Sequence, residues 1–269
     1  MSSEESFLRD LIRLLEEFTD GDPMIASLLA GTFITLTTSL GAASMFMFGE
    51  RTRPALHFSM SFAAGIMLVA SFTSLILPAM GMADFFPTVL SGFLTGFLTL
   101  IIIERLLPHE HPVLGYEGPE AARRALKKAW LLAIAVIIHN FPEGLAVGVS
   151  ITYSIPLGMA TAIAIGVQDI PEGLAVALPL SSLVGRGKGF LVGVLSGLSE
   201  LLMALISTVI IEGFEVVLPL AMSFAGGAML YVTLKEVIPE VYSEDYSTMK
   251  ASVGFLIGFL VMLYLDSAL

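Results

Sequence analysis

The chain has 269 residues, of which 56% are hydrophobic and only 14% charged; it carries a net charge of −11 and contains no cysteine. A soluble domain of this size cannot hide so much apolar surface, so the composition points to a multi-span membrane protein. The missing cysteine excludes thiolate chemistry, and nothing in the charge pattern suggests nucleic-acid binding.

Residues 1–23 form an acidic segment in which Leu8, Leu11, Leu15 and Phe18 make an apolar stripe over 3–19, as in a helix lying on a surface or docking. Its acidic start, with no separate apolar core, excludes a signal peptide. Charge-poor stretches then recur at 24–48, 55–80, 85–107, 126–151, 156–180, 187–211, 216–238 and 247–268. Each supplies the ~20 residues that a membrane-crossing helix needs. The expectation is an all-α membrane protein of eight spans.

Orientation follows from lysine and arginine in the connections. With both termini outside, 11 of the 13 basic residues fall in inner loops, and only Arg9 and Arg13 stay outside. The outer face then holds 11 acids against those two bases, and the inner face 9 acids against 11 bases. So negative an outer face gathers cations, although a merely solvated acidic tail explains part of it. Four acids remain within spans: Glu143, Asp169, Glu172 and Glu200.

An internal repeat organises these spans. MSFAAGIMLV at 60–69 matches MSFAGGAMLY at 222–231 in seven of ten positions, and GFLTGFL at 92–98 matches GFLIGFL at 254–260 in six of seven. Both pairs are offset by 162 residues. Spans 1–3 (24–107) and the second repeat (181–269, spans 6–8) are therefore copies, and the orientation rule makes them inverted. Between them lie an inner loop, 108–125, and a central pair, spans 4 and 5, over 126–180. This 3+2+3 plan with an in-plane two-fold axis is a pattern of transporters that bind substrate near the bilayer midplane.

The central pair carries HNFPEGLAV at 139–147 and QDIPEGLAV at 168–176. Each proline is expected to break its helix and to free the carbonyl four residues back, Ile138 or Val167. A plain packing kink is the bland alternative, and the repeated polar spacing argues against it. His139 and Glu143 share one helical face, as do Gln168 and Glu172; Asn140 and Asp169 neighbour the same glutamates. An ionised acid at a helix centre costs roughly 2.5–3.5 kcal/mol, and no basic residue occurs between Lys128 and Arg186. Metal ions supply the missing charge best; protonated carboxylates are the alternative. Imidazole with carboxylates suits zinc and other first-row divalent ions. Glu200 on span 6 is a further acid at similar depth, whose repeat mate is Thr38. Met67 offers a thioether, but its mate is Met229, and read alone it is packing.

The paired HNFPEG and QDIPEG motifs at this spacing resemble those of the ZIP (Zrt/Irt-like) divalent metal transporters, particularly the prokaryotic branch. The resemblance covers essentially the whole chain. It implies a binuclear site: one metal on Met67, His139, Glu143, Gln168 and Glu172, and a second on Asn140, Asp169 and Glu200, with Glu143 and Glu172 bridging. It also implies an elevator-like motion of spans 1, 4, 5 and 6 against spans 2, 3, 7 and 8 in a homodimer of the cell membrane. Transport of zinc, with cadmium, iron and manganese as further candidates, is expected towards the cytoplasm. One stretch departs from the pattern: KEVIPE puts Lys235 where relatives often have histidine, which leaves Glu236 to handle exiting metal alone. His109 and His111 of the HEH loop either bind exiting metal transiently or are simply solvated. The GxxxG pairs Gly92/Gly96 and Gly254/Gly258 serve either packing within the chain or a dimer interface.

An intramembrane metalloprotease is excluded by the lone intramembrane histidine, since that chemistry needs an HExxH-type pair. The remaining competitor is a cation channel with the same ligands, distinguished by flux that does not saturate.

Overall fold

The computed structural model describes residues 17–47, 53–83, 85–107, 109–111, 115–117, 128–212, 214–242 and 248–268. The amphipathic segment expected over 3–19 lies, up to residue 16, outside them. Eight long helical segments occupy the eight charge-poor stretches. They are α1 (Pro23–Ser44), α2 (53–82), α3 (85–106), α4 (Lys128–Tyr153), α5 (Ile155–Val184), α6 (Arg186–Glu212), α7 (218–241) and α8 (Thr248–Ala268). By length and composition, seven helices among the described residues are apolar enough to cross a membrane; α4, whose side chains are only partly described, runs for 26 residues. The expectation of purely helical structure needs one amendment: β1 (His109–His111) pairs antiparallel with β2 (Gly115–Glu117) in the loop before α4.

Local chemistry sets the helix ends. Asp22 caps α1 by accepting from the amides of Met24 at 2.8 Å and Ile25 at 3.2 Å, and Pro23 sits in the first turn, where no amide is needed. Ser154 alone separates α4 from α5 and caps the latter through the amide of Leu157. Gly185 joins α5 to α6 with φ +90°, a conformation that a side chain would strain.

The expected proline breaks fall elsewhere. α4 runs unbroken through Pro142, and α5 through Pro171. Widened turns appear instead in α2 at Ser71–Ile76 and in α7 at Thr233–Val237, starting 162 residues apart. Each precedes a proline, Pro78 or Pro239. There the amides of Leu77 and Ile238 reach back five residues, to the carbonyls of Phe72 and Thr233. The proline ring crowds the carbonyl four residues back, and the extra residue relieves that clash. α4 and α5 stay helical where each is closely packed by a neighbour, described below.

Packing follows the same 162-residue spacing. α3 lies on α7, and α8 lies on α2. A methyl group added at Gly92 would meet the Leu220 carbonyl oxygen at 2.7 Å; one added at Gly254 would meet that of Phe58 at 2.7 Å. Gly96 and Gly258 abut the backbones of Phe224 and Phe62 in the same matched way. Both glycine pairs are thus used inside the chain, each joining the third helix of one unit to the second helix of the other. α2 and α7 are the interior members, with 72% and 61% of their spanning windows buried, against 28% for α3 and 22% for α8. Exposed leucines such as Leu94, Leu98, Leu256 and Leu260 coat the outer pair.

Candidate metal centre

α1 and α6 pack against one another through residues that are each other's repeat mates. The Thr35 hydroxyl donates to the Gly197 carbonyl at 2.7 Å, and the Thr38 hydroxyl donates to the Glu200 carboxylate at 3.1 and 3.3 Å. Glu200 is thus in direct contact with the residue 162 positions before it.

The glycines of the two PEG motifs bring the neighbouring helices in. A side chain on Gly144 would meet Glu200 Cα at 2.8 Å, and one on Gly173 would meet the Ala42 amide nitrogen at 2.9 Å. α4 thereby closes on α6 beside Glu143, and α5 closes on α1 beside Glu172. As a result the carboxylates of Glu143, Asp169 and Glu200, from three different helices, offer ligand atoms all within 4.8 Å of one another. All three are buried, at 0%, 1% and 0% exposure. Glu172 is buried too and lies within electrostatic reach of Asp169.

Two neutral amides donate to this cluster. The Gln168 amide donates to Glu143 Oε1 at 2.5 Å, and the Asn140 amide donates to Glu200 Oε1. The Thr37 and Thr38 hydroxyls lie near Asp169 but donate to the carbonyls of Phe33 and Ile34 or to Glu200. Both carboxylate oxygens of Asp169, together with Asn140 Oδ1 and Gln168 Oε1, accept no hydrogen bond among the described residues. Carboxylates this close repel by roughly 3–4 kcal/mol per pair at an effective dielectric near 20. Converging oxygens without donors are chemically a seat for a cation, and amides that spend their protons on carboxylates turn their own oxygens towards it.

The structure thus brings Asn140, Glu143, Gln168, Asp169 and Glu200 together, with Glu172 adjacent. His139 stands on α4 one residue before Asn140; its side chain, and those of His109 and His111 on β1, lie outside the described residues. Met67 is fully buried on α2, which packs on α5; Met229 is equally buried on α7, which packs on α4. Their surroundings match further, since Ser71 and Thr233 donate to the Met67 and Met229 carbonyls at 2.7 and 2.8 Å. Glu236 is buried on α7 beside Glu104, not within the three-carboxylate group. Two participants escaped the sequence reading. Thr38 enters there only as the mate of Glu200, and Glu104, buried on α3, is not singled out at all. The 162-residue offset could have found both.

Comparison with known proteins agrees with this geometry. Residues 114–266 match the family model described as ZIP Zinc transporter. The chain is 40% identical over 253 residues to Zinc transporter ZIPB of Bordetella bronchiseptica, covering 89% of this chain and 79% of that one. It is 38% identical over 259 residues to Zinc transporter GufA of Myxococcus xanthus, covering 93% and 99%. It is also 34% identical over 247 residues to Zinc transporter ZupT of Escherichia fergusonii, covering 89% and 94%. Long apolar helices, a buried carboxylate cluster built by paired PEG motifs, and full-length similarity converge on one conclusion: the chain is a multi-pass membrane protein of the ZIP zinc transporter family, a family of transporters and not of enzymes.

Proposed function

We propose that this protein carries zinc, and with it cadmium, iron or manganese, across the cell membrane into the cytoplasm. The observation that carries the reading is the buried cluster of Glu143, Asp169 and Glu200, three acids from three helices that offer ligand atoms within 4.8 Å of one another. A divalent cargo supplies the opposite charge and relieves the repulsion among the carboxylates, which favours binding. In the full site, Met67, His139, Glu143, Gln168 and Glu172 hold one ion. Asn140, Asp169 and Glu200 hold the second, with Glu143 and Glu172 shared. Imidazole, thioether and carboxylate ligands together suit zinc and cadmium.

Eight spans with both termini outside place the basic loops on the cytoplasmic side, and the two units are then inverted copies about an axis between α1 and α6. Alternating access by one rigid group against another fits the way the helices sort. α1, α4, α5 and α6 pack tightly among themselves, while α2 with α8 and α3 with α7 form the rest; the groups meet chiefly through α7 on α4 and α2 on α5. The first group, which holds every acid of the cluster, is the moving element. The second is the scaffold through which two chains pair as a homodimer.

The test is uptake into proteoliposomes of zinc, cadmium, iron, manganese and magnesium. Saturating zinc and cadmium uptake that exceeds magnesium uptake is the expected result. Magnesium uptake equal to that of zinc would overturn the assignment of cargo, and flux rising linearly with concentration would replace the carrier by a channel.

A further inference from the structure

α1 carries no charged residue, yet it packs on α5 and α6, the helices that bear Asp169 and Glu200. What it brings to them is hydroxyl groups. Thr38 is buried, and its Oγ1 stands 3.1 and 3.3 Å from the two carboxylate oxygens of Glu200 and lies near Asp169 as well. Those are the two acids assigned above to the second ion alone, whereas Glu143 and Glu172 are shared. The place of Thr38 is fixed from two sides. A side chain on Gly197 of α6 would meet Thr38 Cβ at 3.2 Å, and one on Gly173, the glycine of QDIPEG, would run into the Thr38 carbonyl. Close backbone approach by α5 and α6 holds Thr38 in place, so the hydroxyl proton is what remains to turn.

That proton has two acceptors in reach. One is the Ile34 carbonyl, 2.8 Å away and one turn back along α1; the other is the Glu200 carboxylate. The Ile34 carbonyl also lies 2.8 Å from the Thr37 hydroxyl, and the helical hydrogen bond takes a further share of it. A carbonyl oxygen has two lone pairs and is then over-subscribed. A hydrogen bond to an ionised carboxylate is roughly twice as strong as one between neutral groups, so the Thr38 proton goes to Glu200 and the Thr37 proton to Ile34. Asn140 donates to Oε1 of the same carboxylate from α4. Donors from two different helices thus fix how the plane of the Glu200 carboxylate is turned. The repeat gives a reason for a hydroxyl at this place. Thr38 lies 162 positions before Glu200, and an acid there too would set two carboxylates against each other. A hydroxyl in one copy accommodates the acid in the other.

We propose, on the two-ion reading of the site given above, that Thr38 is a positioning residue for the cargo: its hydroxyl orients the Glu200 carboxylate and so sets the affinity for the second ion. Removing a partner that orients a ligating group typically costs roughly 10–100-fold in metal affinity. Thr38 acts through Glu200, which belongs to the second ion only, so the first ion keeps its affinity.

Calorimetric titration of the purified full-length chain with zinc, resolving each affinity, tests this. Wild type should bind two zinc ions per chain. Thr38→Val keeps the branched shape and removes the donor; it should weaken one ion by about tenfold or more and leave the other unchanged. Thr38→Ser returns the hydroxyl and should restore both affinities. In proteoliposomes Thr38→Val should slow the zinc uptake of wild type but not slow Glu200→Ala any further, because the hydroxyl acts through that carboxylate. Unchanged affinities in Thr38→Val, equal weakening of both ions, no recovery in Thr38→Ser, or an added loss on top of Glu200→Ala would overturn the role of Thr38 and leave the two-ion site standing. One zinc per chain in wild type would overturn both together. Thr38→Ala is run alongside; should neither it nor Thr38→Val fold, the hydroxyl serves the seam between α1 and α6 rather than the cargo, and the proposal fails.

Discussion

Glu104 and Glu200 are both acids buried in apolar helices, yet the protein answers their charges differently. Glu104 receives a lysine and a phenol from α7, 2.5 Å away each. Glu200 receives an amide and a threonine hydroxyl, and it shares its space with Glu143 and Asp169. A charge matched largely from within supports the fold at all times. A cluster that crowds three buried carboxylates together favours a cation from outside, and that dependence is what a carrier needs.

The largest effect should come from removing central ligands. His139→Ala and Glu172→Ala should each lower zinc uptake in proteoliposomes by about tenfold or more while the protein still elutes as a folded species. Wild-type rates would sink the site assignment. Glu200→Ala should hurt less, because it serves one ion only; an equal loss would mean that the two ions depend on each other.

Stability should separate the two acid groups by sign. Glu104→Ala removes the buried carboxylate to which Lys235 and Tyr231 donate, and thermal unfolding in detergent without added metal should show a loss of about 2–3 kcal/mol. Asp169→Asn relieves repulsion among three close carboxylates, so the metal-free protein should gain on the order of 1–3 kcal/mol. Zinc should then stabilise wild type more than this variant. If both substitutions destabilise the metal-free protein, the central cluster is internally compensated and the contrast between the two groups fails.

The smallest effect concerns the two methionines. Met67→Ala should weaken cadmium uptake more than manganese uptake, since soft sulfur prefers cadmium, and Met229→Ala should alter neither. Their buried environments correspond closely, so an equal selectivity change in both variants would show that packing, not ligation, is being measured.

The number and rough limits of the helices were legible because a span needs a long run without charges, a one-dimensional property of the chain. The repeat was legible from MSFAAGIMLV and its copy, and the polar faces of α4 and α5 from residues spaced three and four apart. Proline misled, because its effect depends on what packs beside it. α4 and α5 stay continuous where Gly144 and Gly173 admit α6 and α1, whereas α2 and α7 widen before Pro78 and Pro239. The sequence by itself therefore determined which segments cross the membrane, which two carry polar groups and how far apart the copies lie. Only the tertiary structure decided that α3 crosses to α7 and α8 to α2, that Glu200 meets Thr38, and that Glu104 is buried against Lys235. Those outcomes are contacts between residues 60 to more than 160 positions apart, such as Asn140 with Glu200 and Ser74 with Asp266, and helical periodicity holds no information about which faces will meet.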